Sequence, residues 1–386
     1  MYGFDKITDR RETGSLKWDV GENELPLWVA DMDFETAPEI TETIIKRAEH
    51  GIFGYSIITP EWYDAYIQHW KKHHDFEFTK RDMVFATGVV PILSSAVRKF
   101  TTPAEKVVIF TPVYNIFFNS IINNGRQVLE CPLSYDREKH SYSIDFDMLE
   151  KAFYDPQTSL FLFSNPNNPA GIIWSREELE RIGQLADRYS VTVVADEIHC
   201  DLCDPGYSYT PFASVNELNA KISITAISPT KAFNIAGLQT SAVVAKDPVL
   251  RHRIRRQLNT DECGEPNVFA IPAAVAAFTK GEKWLEEACA YIADNRSFTE
   301  QYLEKNIPLL IPVPSHATYL MWVDISKTGM RSDRFAEELR SETGLFVSDG
   351  VQYGNGDDHI RINLATQCER LKDGLSRLES YVKKHF

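Results

Sequence analysis

No apolar run in this 386-residue sequence approaches the roughly 20 residues that a helix needs to cross a bilayer, so a membrane-spanning role is not expected. The opening stretch MYGFDKITDRRE carries charge where a secretory signal has an apolar core, and a cytoplasmic location is the expectation. Basic charge is scarce as well. Against 55 acidic residues stand 41 lysines and arginines, and the formal net charge of -14 repels nucleic acid and anionic lipid alike. The one basic run, Arg251, His252, Arg253, Arg255 and Arg256, lies in a helix-like segment and reads as a solvated or subunit-facing surface. Six cysteines, at 131, 200, 203, 263, 289 and 368, are too few for a disulfide scaffold and suit a reducing compartment. Cys200 and Cys203 form a single C-x-x-C with no second pair, and no metal site is expected. Repeats, low-complexity tracts and long Gly/Ser linkers are missing too, so any domain boundary falls within helices or short turns.

What the chain does have is apolar material, 43% of its residues, enough for a large core and a smaller second unit. Continuous apolar runs predict strands over 107–111, 159–164, 191–195, 222–227 and 240–245, with a helix over 176–189 between two of them. Runs without polar alternation indicate strands buried on both faces, hence an α/β fold with a mostly parallel sheet between helices. Helical patterns follow at 247–258, 266–279 and 282–304. Strand and helix signals then alternate, at 319–325, 332–342, 344–348, 359–365 and from 369 on, as in a small α+β domain. The expected division is an N-terminal segment over 1–45 that packs with the small domain, a large domain over 46–280, and the small domain over 281–386.

Ligands of open α/β sheets sit at the carboxyl ends of the strands, and four such ends carry chemistry here. The sequence ISITAISPTKAFNIAGL (222–238) places Lys231 where a buried strand gives way to a turn. A lysine amine is nucleophilic only when unprotonated, so an enzyme that forms a Schiff base holds it in a partly desolvated, cation-rich pocket; Lys231 is the candidate to bind an aldehyde cofactor. Asp196 and His199 follow the run VTVVA, Asn168 follows SLFLFS, and Tyr114 follows VVIFT. Before the helix-like ILSSAVRKF, the turn Gly88-Val89-Val90-Pro91 offers first-turn N–H groups and a helix dipole to an anion such as phosphate, with Ser228 and Thr230 as further hydroxyl donors. In HIRINLA, alternation sets Arg361 and Asn363 on one face, and the planar guanidinium suits bidentate capture of a carboxylate.

Taken in order, PLWVADMDF (26–34), FGYS (53–56), TGVVP (87–91), PVY (112–114), NPNNPAG (165–171), ADEIHCDL (195–202), SPTKAFNIAGL (228–238) and RINLA (361–365) make the chain resemble the fold-type I pyridoxal-phosphate enzymes. The narrower resemblance is to the MalY/PatB-like C-S lyases of the aminotransferase class I/II superfamily. It implies pyridoxal 5'-phosphate on Lys231, with Asp196 beside the ring nitrogen, Tyr114 stacked on the ring and Asn168 donating to its phenolic oxygen. Opposite charges about 4 Å apart gain on the order of 4 kcal/mol at an effective dielectric near 20, which keeps the ring protonated as an electron sink. Val89, Val90, Ser228 and Thr230 would hold the phosphate. Tyr55 would reach the phosphate of a neighbouring subunit in a homodimer. Arg361 would take the α-carboxylate of an amino-acid substrate, with Ala30 and Asp31 on the substrate side.

One departure stands out: many relatives carry a basic residue eight positions after the lysine, and here that position is Gln239. Typical aminotransferases have tyrosine three positions after the aspartate, whereas His199 belongs to the Asp-Glu-Ile-His form of the lyase branch. The expected activity is therefore β-elimination of cystathionine, cystine or related cysteine S-conjugates to a thiol, pyruvate and ammonia. An aminotransferase of similar fold is the first alternative. A regulatory protein that contacts a transcription factor is an alternative of another class.

Overall fold

The computed structural model describes residues 2–386. Its largest sheet has seven strands in the order Met83–Ala86, Ser241–Val244, Ser223–Ile227, Thr192–Asp196, Thr158–Ser164, Lys106–Thr111, Gln127–Pro132. Ser241–Val244 runs antiparallel to both neighbours and every other pairing is parallel. The expected α/β class with a mostly parallel sheet is what the chain adopts.

Strand alternation sorts the apolar runs into two layers. Val107, Ile109, Leu160, Leu162, Val194 and Ile224 pack under the helices Val89–Phe100 and Pro248–Thr260. Val108, Phe110, Phe161, Phe163, Val193 and Ala195 face the helices Phe146–Tyr154 and Arg176–Arg188 on the other side. The second of these begins at a capping box, where Ser175 and Glu178 satisfy each other's backbone N–H groups.

Two strands escape the sequence reading. Gln127–Pro132 is an edge strand whose side chains are mostly partly exposed, so it never forms an apolar run. Met83–Ala86 is fully buried but only four residues long. The helix expected from 266 starts at Ala270, after a turn in which the Asn267 carboxamide oxygen accepts from the N–H groups of Phe269 and Ala270. The run 344–348 is not one strand but two: Leu345–Phe346 pairs in parallel with Leu25–Pro26, and Ser348–Asp349 pairs with His359–Asn363.

A second, antiparallel sheet has the order Ile311–Pro312, Leu320–Asp324, His359–Asn363, Ser348–Asp349. Its core takes in Trp18, Leu25 and Leu27 from the N-terminal segment, whereas Phe4, Met32 and Phe34 from the same segment pack into a further core with Trp62, Tyr66 and Trp70 of the helix Pro60–His74. The long helix Glu282–Asn306 joins both, with Trp284 and Ile292 in one core and Leu303 in the other. At the join, Gly171 has a φ of +66°, and a Cβ there would stand 2.7 Å from Ser315 Cβ and 2.8 Å from the Ala317 oxygen. Only glycine lets the 165–171 turn close against the 315–317 loop. Among the described residues no helix is long and apolar enough to cross a membrane.

Candidate active site

Parallel strands deliver their carboxyl ends to one edge of the sheet, and the turns after Thr111, Ser164, Asp196 and Ile227 therefore meet there. Lys231 sits in the last of these, in a turn held by Phe233 N–H to the Pro229 oxygen and Ile235 N–H to the Thr230 oxygen. Its Nζ donates to the carbonyl oxygen of Ala30, 201 residues away in sequence. Burial lowers the amine's pKa to about 8; Asp31 and Asp196 oppose that shift, and Arg361 adds to it.

The segment that meets Lys231 is fixed by many bonds. Tyr319 OH donates to the same Ala30 oxygen at 2.8 Å, and Asn363 Nδ2 spans the Val29 and Asp31 oxygens at 2.6 Å each. Arg10 forks onto Asp31 at 3.1 and 2.6 Å, and also reaches Asp33. Asn234, three residues past the lysine, bonds the backbone of Met32 from both ends of its carboxamide.

Asp196 ends its strand with 6% exposure, and its Oδ1 accepts from Ile198 N–H at 3.2 Å. Among the described residues it makes no ion pair. Burial pushes its carboxyl up to about 7, opposed by the Ile198 N–H and by Lys231. The next residue behaves differently because strand geometry turns it to the opposite side. Glu197 is enclosed by Phe212 N–H at 2.8 Å, Tyr209 OH at 3.0 Å and Asn165 Nδ2 at 3.1 Å, a satisfied structural acid. His199 is buried with Nδ1 unpartnered; burial, then Lys231 and Arg361, lower its pKa to about 3, so the imidazole is neutral.

Arg361, 4% exposed, donates to Asn168 Oδ1 at 3.0 Å and to the Trp28 carbonyl oxygen at 2.8 Å, and its guanidinium lies 4.9 Å from the Tyr353 ring centre. Its Nε has no partner, and among the described residues it forms no ion pair. A buried, unpaired guanidinium is costly unless an anion meets it. Tyr114 is mostly buried in the neighbouring turn, where Val113 N–H bonds the Tyr353 oxygen at 2.9 Å. Burial raises its phenol, opposed by Arg361.

On the far side, Gly88 precedes the helix Val89–Phe100. First-turn N–H groups have no acceptor within their helix, and Pro91 has none to give, so Val89 and Val90 carry the free donors. Ser228 Oγ lies 2.7 Å from Thr230 Oγ1 and donates to the Thr240 oxygen, while Thr240 Oγ1 is buried and unpartnered. Gln239 is exposed in a left-handed conformation. Tyr55 is fully exposed and, within one chain, far from being enclosed with the others.

Sequence reasoning missed the Trp28 carbonyl, Tyr319 and Ser348, whose Oγ lies 3.5 Å from Arg361 Nη2. Backbone carbonyls carry no residue signature, and Tyr319 opens an apolar run that reads simply as strand. Asn363 did leave a signal, since it shares the face of Arg361. Together, a near-neutral amine, a buried carboxylate without a cation, an unpaired arginine and a helix start fit a phosphorylated aldehyde with a basic ring nitrogen.

The sequence profile of the family Aminotransferase class I and II matches residues 22–378. Cystathionine beta-lyase PatB of Bacillus subtilis (strain 168) is 38% identical over 384 residues, spanning 98% of this chain and 99% of PatB. Protein MalY of Escherichia coli (strain K12) is 28% identical and covers 99% of both chains. The crystal structure of cystalysin from Treponema denticola, which contains a pyridoxal 5'-phosphate cofactor, superposes with a TM-score of 0.96 at 32% identity, covering 100% of this chain and 99% of cystalysin. On the full-length match, the geometry at Lys231 and the shared fold, the chain belongs to the aminotransferase class I and II family, in the branch that holds PatB and MalY.

Proposed function

We propose that this protein is a pyridoxal-phosphate-dependent C-S β-lyase that cleaves cystathionine, cystine or related cysteine S-conjugates to a thiol, pyruvate and ammonia. The observation that carries the reading is the convergence of Lys231, Asp196 and the unpaired Arg361 on one enclosed site. The bound cofactor supplies an electron sink for the carbanion formed at the substrate's α-carbon. Lys231 Nζ is the covalent anchor and, with a pKa near 8, the base for the α-proton. Asp196 would pair with the ring nitrogen and keep it cationic, and Tyr114 would support the face of the ring. Asn168 accepts from Arg361 on one side of its carboxamide and would donate to the ring's phenolic oxygen from the other. Val89, Val90, Ser228 and Thr230 would hold the phosphate.

Arg361 takes the substrate α-carboxylate. Ala30 and Asp31 form the wall opposite, with the Ala30 oxygen holding Lys231 Nζ until it is needed. The Cα–H and Cβ–S bonds break in turn, sulfur leaves as a thiolate, an accessible anion because thiols ionise near pH 8.5, and the remaining three-carbon enamine takes up water to give pyruvate and ammonia. His199 supports elimination over transamination, since it replaces the phenol that typical aminotransferases set beside the ring oxygen. Pyruvate release from cystathionine with no keto acid present tests the reading. Amino transfer to 2-oxoglutarate without pyruvate release would replace it with a transaminase.

Loss of Arg361 is expected to be selective. With two charge-assisted hydrogen bonds to the substrate gone, Arg361→Ala should lower kcat/KM for carboxylate substrates by about 10²–10³-fold. Cofactor absorbance should stay near that of the parent; an unchanged kcat/KM would leave Arg361 a structural role only.

We further propose a cytoplasmic homodimer with the domain division 1–45, 46–280 and 281–386. Ile52, Phe53, Tyr55 and Ile57 stand exposed in one extended segment, an apolar surface suited to a second copy. Tyr55 would reach the partner's phosphate. A Tyr55→Ala chain and a Lys231→Ala chain, each impaired alone, should regain activity when co-expressed, because one of the two sites in the mixed dimer is then intact. No recovery in a verified mixed dimer would exclude the shared site.

A further inference from the structure

Two residues beyond His199 the chain enters a second cluster that the reaction does not use. Asp201 lies between two histidines of the helix Pro60–His74: His69 Nε2 is 2.8 Å and His74 Nε2 is 2.7 Å from the same oxygen, Asp201 Oδ1. All three side chains are enclosed, at 4%, 7% and 3% exposure for His69, His74 and Asp201. Their ligand atoms lie within 4.8 Å of one another. Two polar atoms of the cluster, Asp201 Oδ2 and His74 Nδ1, are buried without a partner among the described residues. A hydrogen-bonded clasp between helix and loop would not leave the second carboxylate oxygen orphaned in this way.

We propose that His69, His74 and Asp201 form a binding site for a transition-metal dication of the zinc class, made of none of the residues that face Lys231. Two imidazole nitrogens and one carboxylate are a recurrent donor set for such ions, and they leave a fourth position for water. That position has room. A cavity of about 470 Å³ is lined by His69, His73, His74, Asp201, Cys203 and Cys289, among others. Zinc bonds of about 2.0–2.2 Å require tetrahedral ligand atoms to stand roughly 3.3 Å apart, so each histidine nitrogen must draw back from Asp201 Oδ1 by about half an ångström.

Neighbouring charges are balanced elsewhere: Glu282 pairs with Lys72 and approaches His73 at 3.5 Å. The thiols nearby are poor ligands. Cys289 Sγ donates to the Asp201 backbone oxygen at 3.4 Å and Cys203 Sγ to the Cys200 oxygen at 3.7 Å, so both are turned to backbone carbonyls. The C-x-x-C motif is thus a bystander, and the site rests on histidines that no sequence motif marks. An ion here would clip the helix Pro60–His74 to the loop that continues from Asp196 and His199.

The test uses tag-free holoenzyme, dialysed against chelator and titrated with zinc chloride. One zinc ion per chain retained through gel filtration, with a melting temperature that rises by several degrees and depends on zinc concentration, is the expected result. His69→Gln/His74→Gln and Asp201→Asn should lose both effects, whereas Cys200→Ser/Cys203→Ser should keep them. Cobalt(II) added to the unmodified protein gives a readout that survives if those variants fail to fold. Ligand-field bands without thiolate-to-cobalt charge transfer are expected. Failure of the unmodified protein to retain zinc, retention unchanged in the histidine double variant, loss in the cysteine variant, or a thiolate charge-transfer band would each overturn the site.

Discussion

Replacing Lys231 with alanine is expected to lower turnover by at least about four orders of magnitude, because the cofactor's covalent anchor and the base for the α-proton are lost together. The fold should survive. Lys231 is only partly buried, makes one hydrogen bond, to the Ala30 oxygen, and that oxygen keeps Tyr319 as a donor. Circular dichroism should therefore match the parent, while borohydride reduction should fix no cofactor to the chain. Retained turnover in a preparation free of host enzyme would remove Lys231 from its role. The same residue sets a pH dependence. Its folded pKa near 8 lies below the ordinary 10.5, so the reactive unprotonated amine appears at lower pH than in solution. Capture of added pyridoxal phosphate by cofactor-free protein should speed up about tenfold per pH unit and level off near pH 8. A midpoint near 10.5 would mean that the pocket does not desolvate the amine.

Removal of the Asp196 charge should produce the second-largest loss. An ion pair worth about 4 kcal/mol, at about 4 Å and an effective dielectric near 20, corresponds to roughly 10³ in rate if the ring must be cationic in the transition state. Asp196→Asn is expected to show that drop together with weaker cofactor retention. Its effect on folding should have the opposite sign. In cofactor-free protein the carboxyl's pKa is raised, to about 7 from 3.8, by burial first. The stability it contributes is fully present below 3.8 and is lost as pH rises towards 7, since the unfolded chain then sheds a proton that the folded chain keeps. The asparagine variant should thus gain stability over cofactor-free parent between about pH 4 and 7 and hold a constant advantage above. Normal kinetics, or a variant less stable at pH 8, would contradict the picture of a buried carboxylate awaiting a cation.

Five of the seven central strands were legible because burial on both faces leaves a run of apolar residues with nothing polar between. Gln127–Pro132 was illegible for the converse reason: at a sheet edge, Gln127 and Glu130 are tolerated, and the run breaks up. Lys231, Asp196, Asn168 and Tyr114 could be found because each follows a readable strand, and strand ends are where an open sheet presents its chemistry. Nothing comparable marks the Trp28 carbonyl that orients Arg361, or the Ala30 carbonyl that meets Lys231, because every residue has a carbonyl.

Local order along the chain therefore determined the fold class, the family resemblance and the set of reactive side chains, since strand and turn propensities act over a few residues. Tertiary structure alone decided which groups go unpaired among the described residues: the buried Asp196 carboxyl, which forms no ion pair, Nε of Arg361 and Oδ2 of Asp201. Such deficits arise only when segments as far apart as His74 and Asp201, or Trp28 and Arg361, are folded together and water is driven out, because desolvation makes an unpaired charge costly and hence informative.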